Sequence, residues 1–334
     1  MTGDLKVGLV GAGYAAHRRA NAIRKLDSKR LVIRGVYDKN TEHSSEFSKE
    51  FNVNSYASIE EMCIDTRINT LSVAVPNKYH YEIVKYALEN GKNVLCEYPL
   101  VLKKYKNGEE LVRLAGKKGL FLHVGQTMNY DADYKLIESY KKDLGRLVMG
   151  YKYMSFGMLG SWFELDGFKG NYRGLGKWYV DDNIDGGWIV SAHYHGIQLF
   201  RNVFGEVSSV CAFDTSDKDI AAASVILNHE NKVSSTIQWG MPIYGKVFNA
   251  TLVSGSNGSI EVDCERYLVH TAEIKKEGKL TPVNTFIEDL QSLLDELDGK
   301  KDINEENQDM LRNLKVAVCT GESAARGKEI KISW

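Results

Sequence analysis

Two stretches place chemically useful residues close to where apolar runs end. In VGLVGAGYAAHRRA, Gly11, Gly13 and Ala16 stand at the spacing G-x-G-x-x-A, with Tyr14 and Ala15 inside it. Gly11 permits a tight turn, Gly13 lets the backbone approach a pyrophosphate, and Ala16 lets a helix pack close to the preceding strand. Free N–H groups at Tyr14, Ala15 and Ala16, aided by the helix dipole, would hold the phosphates. Asp38 ends the next apolar run, at the distance expected of a carboxylate that accepts from the adenosine ribose. That acid favours NAD, while the adjacent Lys39 could pair with the 2′-phosphate of NADP, so both cofactors stay open. In NVLCEYPL an apolar run ends in Glu97, Tyr98 and Pro99. Ligands of open α/β sheets sit beyond the carboxyl ends of strands, which puts Glu97 and Tyr98 beside a cofactor.

These residues need a scaffold, and the first third of the chain supplies it by alternation. Strands are expected at Leu5–Val10, Leu31–Tyr37, Thr70–Val75, Asn93–Cys96 and Leu120–Val124. Helices are expected at Ala16–Leu26, Glu42–Phe51, Tyr79–Asn90 and Tyr105–Lys118. Short, uniformly apolar strands between helices read as a doubly wound parallel sheet, hence an N-terminal Rossmann domain over residues 1–124. An aromatic and glycine-rich stretch, Tyr151–Trp188, then leads to a helix near Ser191–Val203. Period-two runs follow at Ser208–Asp214, Ala221–Leu227, Lys232–Trp239, Phe248–Val253 and Ser259–Val262. Two helices, near Thr285–Leu297 and Glu305–Ala325, close the chain. Residues 125–334 are therefore expected to form a second α/β domain with an open, mostly antiparallel sheet that binds substrate. Ile237 and Trp239 share one face of their strand, and an apolar face left open would make a homodimer or homotetramer.

Composition narrows the partners. The 334 residues are 43% hydrophobic and 26% charged with net charge −1, which gives no electrostatic reason to expect nucleic acid or an anionic membrane. Cys63, Cys96, Cys211, Cys264 and Cys319 are scattered without a CxxC pair, as expected in a reducing cytoplasm and not of a disulfide framework or zinc site. His193 and His195 form an H-x-H, but on a helix they point to different sides, so no metal is expected. The chain enters a strand almost at once, leaving no room for a secretory leader, and no apolar run is long enough to span a membrane.

VAVPNKYHYEIVKYALENGKNVLCEYPL, together with Gly186-Gly187 separated by seven residues from His195, resembles the glucose–fructose oxidoreductase / inositol dehydrogenase / rhizopine catabolism (Gfo/Idh/MocA) family. The resemblance implies an NAD(P)-dependent oxidoreductase acting on a CH–OH group of a small sugar, cyclitol or keto-sugar. It implies that Pro76, Asn77 and His80 lie along the cofactor, with Gln126 also in contact, and that Glu97 lies near the nicotinamide ribose. Three departures stand out. Tyr98 occupies the position of the family's usual lysine, and Ser191 stands where an aspartate often precedes the site histidine. Thr127-Met128-Asn129-Tyr130 replaces an Asn-Arg-Arg-Phe-like segment. The Glu-Tyr-Pro form is similar to the biliverdin reductases, an offshoot of the same family.

A neutral phenol, with a reference pKa of about 10, can donate a proton to a carbonyl but supplies no charge to an alkoxide. Tyr98 and His195 are the expected proton donors, in an enzyme working mainly as a reductase, and an unperturbed pKa of about 6.5 makes His195 the better acid–base candidate. Tyr172, Trp178, Ser191 and Tyr194 are candidates for substrate contact. Alternatives are a bilin reductase or, with the family's lysine and aspartate gone, a non-catalytic NAD(P)-binding sensor or scaffold.

Overall fold

Strand β1 (Leu5–Val10) buries Leu5, Val7, Leu9 and Val10, each no more than 3% exposed, in the computed structural model. A strand dry on both faces needs helices on both sides of its sheet. Five parallel neighbours join it: β2 (Leu31–Tyr37), β3 (Asn54–Ser55), β4 (Thr70–Val73), β5 (Asn93–Glu97) and β6 (Leu122–Gly125), in the order β3-β2-β1-β4-β5-β6. Helices α1 (Tyr14–Leu26), α2 (Thr41–Phe51), α3 (Ile59–Ile64), α4 (His80–Glu89) and α5 (Tyr105–Lys118) connect the strands. Asn40 starts α2 by accepting from the Glu42 N–H at 3.0 Å, and Gly119, at φ +66°, stops α5. The strand order reverses between β1 and β4, which is where a doubly wound sheet opens its ligand crevice. Described in the structure are residues 4–26, 28–157, 162–165, 168–171, 187–216, 221–243 and 248–334.

After α6 (Ala132–Tyr140) and β7 (Leu147–Gly157) come a two-stranded ribbon, β8 (Trp162–Leu165) with β9 (Phe168–Asn171), and helix α7 (Trp188–Phe204). Seven strands follow β7 in a second sheet: β10 (Val207–Asp214), β11 (Ala221–His229), β12 (Ser234–Ile243), β13 (Phe248–Gly255), β14 (Gly258–Asp263), β15 (Arg266–Thr271) and β16 (Lys275–Lys279). With β17 (Ile330–Lys331) at its edge, the order is β16-β15-β14-β13-β7-β12-β11-β10-β17. Every pair is antiparallel except β7 with β12. One face is packed by α7: Trp188, Ile189 and Ala192 cluster with Met154, Ala221, Ala223 and Trp239. Gly196 makes this approach possible, since a Cβ there would stand 2.9 Å from Ile237.

Two expectations change here. Ile237 and Trp239 are 0% and 6% exposed, covered by α7 of the same chain, so they leave no open apolar face. The other face carries a polar row: the Tyr151 hydroxyl donates to Gln238 at 2.9 Å, and the Gln238 amide donates to Ser224 at 3.3 Å. Strand β7 runs on into the aromatic and glycine-rich stretch, where no strand is expected, and lies between β12 and β13.

Helices α8 (Thr285–Leu297) and α9 (Ile303–Arg326) complete the fold. On α8, Phe286, Leu290, Leu293, Leu294 and Leu297 recur at helical spacing and pack with Leu5, Val7, Ala22, Ile23, Leu31, Leu95 and Phe121. This packing moves part of the C-terminal sequence into the Rossmann unit. The first unit comprises Met1–Thr127, Trp162–Gly170 and Phe286–Arg312, and the second Met128–Ser161, Asn171–Thr285 and Asn313–Trp334. A single boundary at 124/125 misses this return because the partners of α8 lie more than 160 residues away. Among the described residues, no helix is long and apolar enough to cross a membrane.

Candidate functional site: the strand tips of the Rossmann unit

Gly11 takes φ +103°, and a Cβ there would lie 2.3 Å from the Ala74 carbonyl oxygen, so only glycine fits. At Gly13 a Cβ would meet nothing within 4 Å, which leaves its backbone open to an approaching ligand. Ala16 is 0% exposed, letting α1 close on the sheet. Tyr14 and Ala15 are half-buried at the start of α1, and the Tyr14 hydroxyl accepts from Arg18 at 3.2 Å. Asp38 is fixed by the backbone around it: Oδ2 accepts from the Ala12 N–H at 2.8 Å and Oδ1 from the Asn40 N–H at 2.9 Å. Each oxygen keeps a further lone pair that ribose hydroxyls could use. Lys39 is exposed, with Nζ 6.0 Å from the Tyr79 ring centre, and Lys78 Nζ lies 4.8 Å from the same ring. An open glycine backbone, a helix N-terminus and a pinned acid at the neighbouring strand end fit a nicotinamide dinucleotide.

On the far side of β1, Pro76 precedes a short 3-10 turn, Asn77–Tyr79, and Asn77 and Gln126 are 8% and 7% exposed. His80 differs from its expected role. It is 0% exposed, with Nδ1 2.9 Å from the Pro99 carbonyl and Nε2 2.9 Å from the Val75 carbonyl. It is thus a strut between the loops that leave β4 and β5, and burial lowers its pKa. The Tyr98–Pro99 peptide is cis and Tyr98 is half-buried.

Glu97 is not alone. Arg19, on α1, is 1% exposed and ion-paired with Glu97. Its other terminal nitrogen donates to Ser72 Oγ at 3.2 Å. Gly125 makes room for it, since a Cβ there would lie 2.9 Å from the guanidinium and 3.4 Å from Asp289. Further along, His123 Nδ1 is 3.1 Å from Glu296 and Nε2 is 3.2 Å from Asp289. Arg19 and His123 therefore join Glu97, Asp289 and Glu296 in a buried cluster, with Arg18 adding positive charge beside Glu97. Burial raises the pKa of Glu97; Arg19 pulls it down, Asp289 pushes it up, and the net shift is upward. Burial alone would lower the pKa of His123, but Glu296 and Asp289 outweigh it and raise it to about 10. The sequence signal for this cluster is faint: Asp289 and Glu296, seven apart, interrupt the apolar helix α8.

The second unit holds the remaining candidates. Ser191 is 1% exposed and its hydroxyl donates to the Trp188 carbonyl at 3.1 Å; Tyr194 is 0% exposed. Both are packed inside α7 and do not present themselves as substrate contacts. His193 is buried too, its Nδ1 3.0 Å from the Ile189 carbonyl, and among the described residues no group of three or more His, Cys, Asp or Glu could hold a metal. His195 is half-buried; burial, with Lys152 adding to it, lowers its pKa to about 3, against the near-neutral value expected. Lys152, which went unnoticed in the sequence, is 0% exposed and donates to Asp133 at 2.9 Å, Thr251 at 3.0 Å and Asn249 at 3.4 Å. Its signal is its register: on β7 it falls between Gly150 and Met154, on the face that α7 covers. Tyr172 and Trp178 lie outside the described residues.

Comparison with known proteins agrees with this geometry. Residues 5–126 match an oxidoreductase family model with an NAD-binding Rossmann fold, and residues 152–261 match the GFO/IDH/MocA C-terminal domain. An oxidoreductase of Schizosaccharomyces pombe is 30% identical over 168 residues, 48% of this chain and 41% of its own length. The 2,7-anhydro-N-acetylneuraminate hydratase of Escherichia coli is 21% identical over 273 residues, 78% of this chain and 68% of its own. The matched region spans less than half the length of the first curated relatives. Among solved structures, biliverdin reductase from Synechocystis, in complex with biliverdin and NADP+, has a TM-score of 0.82 at 23% identity, covering 96% of this chain and 99% of its own. Levoglucosan dehydrogenase, in complex with NADH and L-sorbose, has a TM-score of 0.82 at 17% identity over 99% and 100%. This chain belongs to the Gfo/Idh/MocA oxidoreductase family.

Proposed function

We propose that the chain is an NAD(P)-dependent oxidoreductase that works on a small sugar, cyclitol or keto-sugar, mainly in the reducing direction. The observation that carries this is the glycine loop with its acid: Gly11 crowded against Ala74, Gly13 open, and Asp38 held by the Ala12 N–H. In this proposal Gly11, Gly13, Tyr14, Ala15 and Ala16 receive the pyrophosphate, and Asp38 and Lys39 read the adenosine ribose. Pro76, Asn77, Glu97 and Gln126 line the other half, and His80 fixes the loops that carry them. The bound dinucleotide supplies hydride chemistry. The protein's part is to move a proton on the substrate oxygen. Tyr98 suits a reductase because a phenol donates to a carbonyl without needing charge. His195, neutral over the physiological range, is better suited to hydrogen-bonding a substrate hydroxyl than to acting as an acid.

A second substrate class is favoured by the Glu-Tyr-Pro segment and by the likeness of fold to a biliverdin reductase: a bilin in place of a sugar. Assembly into a homodimer or homotetramer through the uncovered sheet face is proposed as well, supported by a groove of about 980 Å³ whose lining includes Tyr151, Leu252 and Leu268. Oxidation of NADH and NADPH with a panel of keto-sugars and biliverdin, by wild type, Tyr98→Phe and His195→Ala, tests the catalytic assignments. Turnover of a keto-sugar that collapses in Tyr98→Phe supports them. Cofactor binding with no turnover of any panel member would favour a sensor, and full activity in both variants would remove the proton roles.

A further inference from the structure

The adenosine end of the cofactor site is bounded by two loops, and each brings a lysine to the same aromatic ring. Lys39 follows Asp38 at the end of β2, while Lys78 and Tyr79 lie in the turn between β4 and α4. The Tyr79 ring is 41% exposed, with Lys78 Nζ 4.8 Å and Lys39 Nζ 6.0 Å from its centre. Among the described residues neither ammonium group has a carboxylate partner. Glu42 and His43 on the first turn of α2, and Glu82 on the first turn of α4, make no ion pair with either lysine. Asp38 cannot turn aside without breaking its bonds to the Ala12 and Asn40 N–H groups. A 2′-phosphate must therefore share this corner with the carboxylate, not replace it. That phosphate carries close to two negative charges at neutral pH. Exposed cation–π contacts are weak, so exchanging them for charge-assisted bonds to the phosphate is favourable.

We propose that Lys39, Lys78 and Tyr79 form a 2′-phosphate clasp that offsets the repulsion from Asp38, so that the chain binds NADP(H) and NAD(H) with comparable affinity. This rests on the cofactor site proposed above. Asp38 serves the ribose hydroxyls of NAD and opposes the phosphate of NADP. At this end of the cofactor the lysines meet a charge only in NADP. One repelling carboxylate against two attracting ammonium groups, all near solvent, leaves the two cofactors within about tenfold of each other.

The test is binding, not turnover. Dissociation constants for NADH and NADPH are measured by cofactor fluorescence at low and at raised salt. The wild type gives constants within about tenfold of each other, with NADPH the more weakened by salt. Both lysines are exposed, so their removal leaves the fold intact. Lys78→Met lowers the affinity for NADPH about fivefold relative to NADH. Adding Lys39→Met takes that relative loss to about tenfold or more and removes the extra salt dependence. Lys78→Arg, keeping the charge, holds the wild-type ratio. Asp38→Asn shifts the ratio toward NADPH by about tenfold. Wild-type constants more than about tenfold apart, or lysine variants that weaken both cofactors equally, overturn the clasp while the cofactor site stands. A wild type that binds neither dinucleotide overturns both.

Discussion

Each unit buries ionised groups, but in different ways. In the second unit one lysine meets one aspartate, and every polar atom of the pair is used. The Lys152 amine donates to Asp133, Thr251 and Asn249, while Asp133 accepts from Lys152 and Thr251 with one oxygen and from the Tyr134 N–H with the other. In the first unit Arg19 and His123 pair with Glu97, Asp289 and Glu296, Arg18 adds positive charge beside Glu97, and the Arg19 Nε is buried without an acceptor among the described residues. A balanced, fully hydrogen-bonded pair ties elements together. A buried charge cluster with an unsatisfied donor beneath a ligand crevice costs stability and is what a binding site would retain. The difference separates a clamp, which joins α6, β7 and β13, from a candidate functional device at the tips of β4 and β5.

The largest effect expected is on the clamp. Lys152→Met leaves Asp133 buried without its cation and should cost about 3–5 kcal/mol in chemical denaturation. Replacing both partners, Lys152→Met with Asp133→Asn, should recover most of that loss, because no charge is then stranded. A single-variant loss below about 1 kcal/mol would remove the distinction between the regions. Next comes Tyr98→Phe, expected to lower turnover by about 10²-fold or more while leaving NADH affinity within about twofold. If NADH affinity fell as far as turnover, Tyr98 would be a packing residue of the cofactor slot.

Smaller, and opposite in sign between the regions, are the pH effects. His123 has its pKa raised to about 10 in the folded chain, well above about 6.5 unfolded. Its stabilisation is full below about pH 6.5 and is lost as pH rises toward about 10. Asp133 is the reverse. Burial opposes its charge, but Lys152 and its hydrogen bonds prevail and lower its pKa, so its contribution is present above about pH 3.9 and lost in acid. Urea midpoints followed across pH should therefore show an alkaline decline that His123→Gln flattens and an acid decline that Asp133→Asn flattens. A wild type equally stable from neutral to strongly alkaline pH would contradict the His123 assignment.

Local patterns in the sequence carry much of this fold. β1, β2 and α5 lie where apolar runs and helical spacing put them, and the glycine loop has the conformation its residue types demand. What local pattern does not carry is pairing at a distance. Arg19 pairs with a residue 78 positions away, and His123 with acids 166 and 173 residues on. β7 is not among the expected strands, and its Gly150 is a contact point: a Cβ there would stand 2.7 Å from Phe200 and 2.4 Å from Phe204. Ser191 and Tyr194 carry the right chemistry for a sugar contact, but their helix buries them.

One titration bears most directly on the central claim that the strand tips of the first unit hold a nicotinamide dinucleotide. Purified protein is titrated with NADH and with NADPH, following cofactor fluorescence, alongside Gly11→Ala, whose added methyl would collide with Ala74. Saturable one-site binding by the wild type and its loss in Gly11→Ala is the predicted result. No saturation with either cofactor, or undiminished binding in the variant, would contradict it.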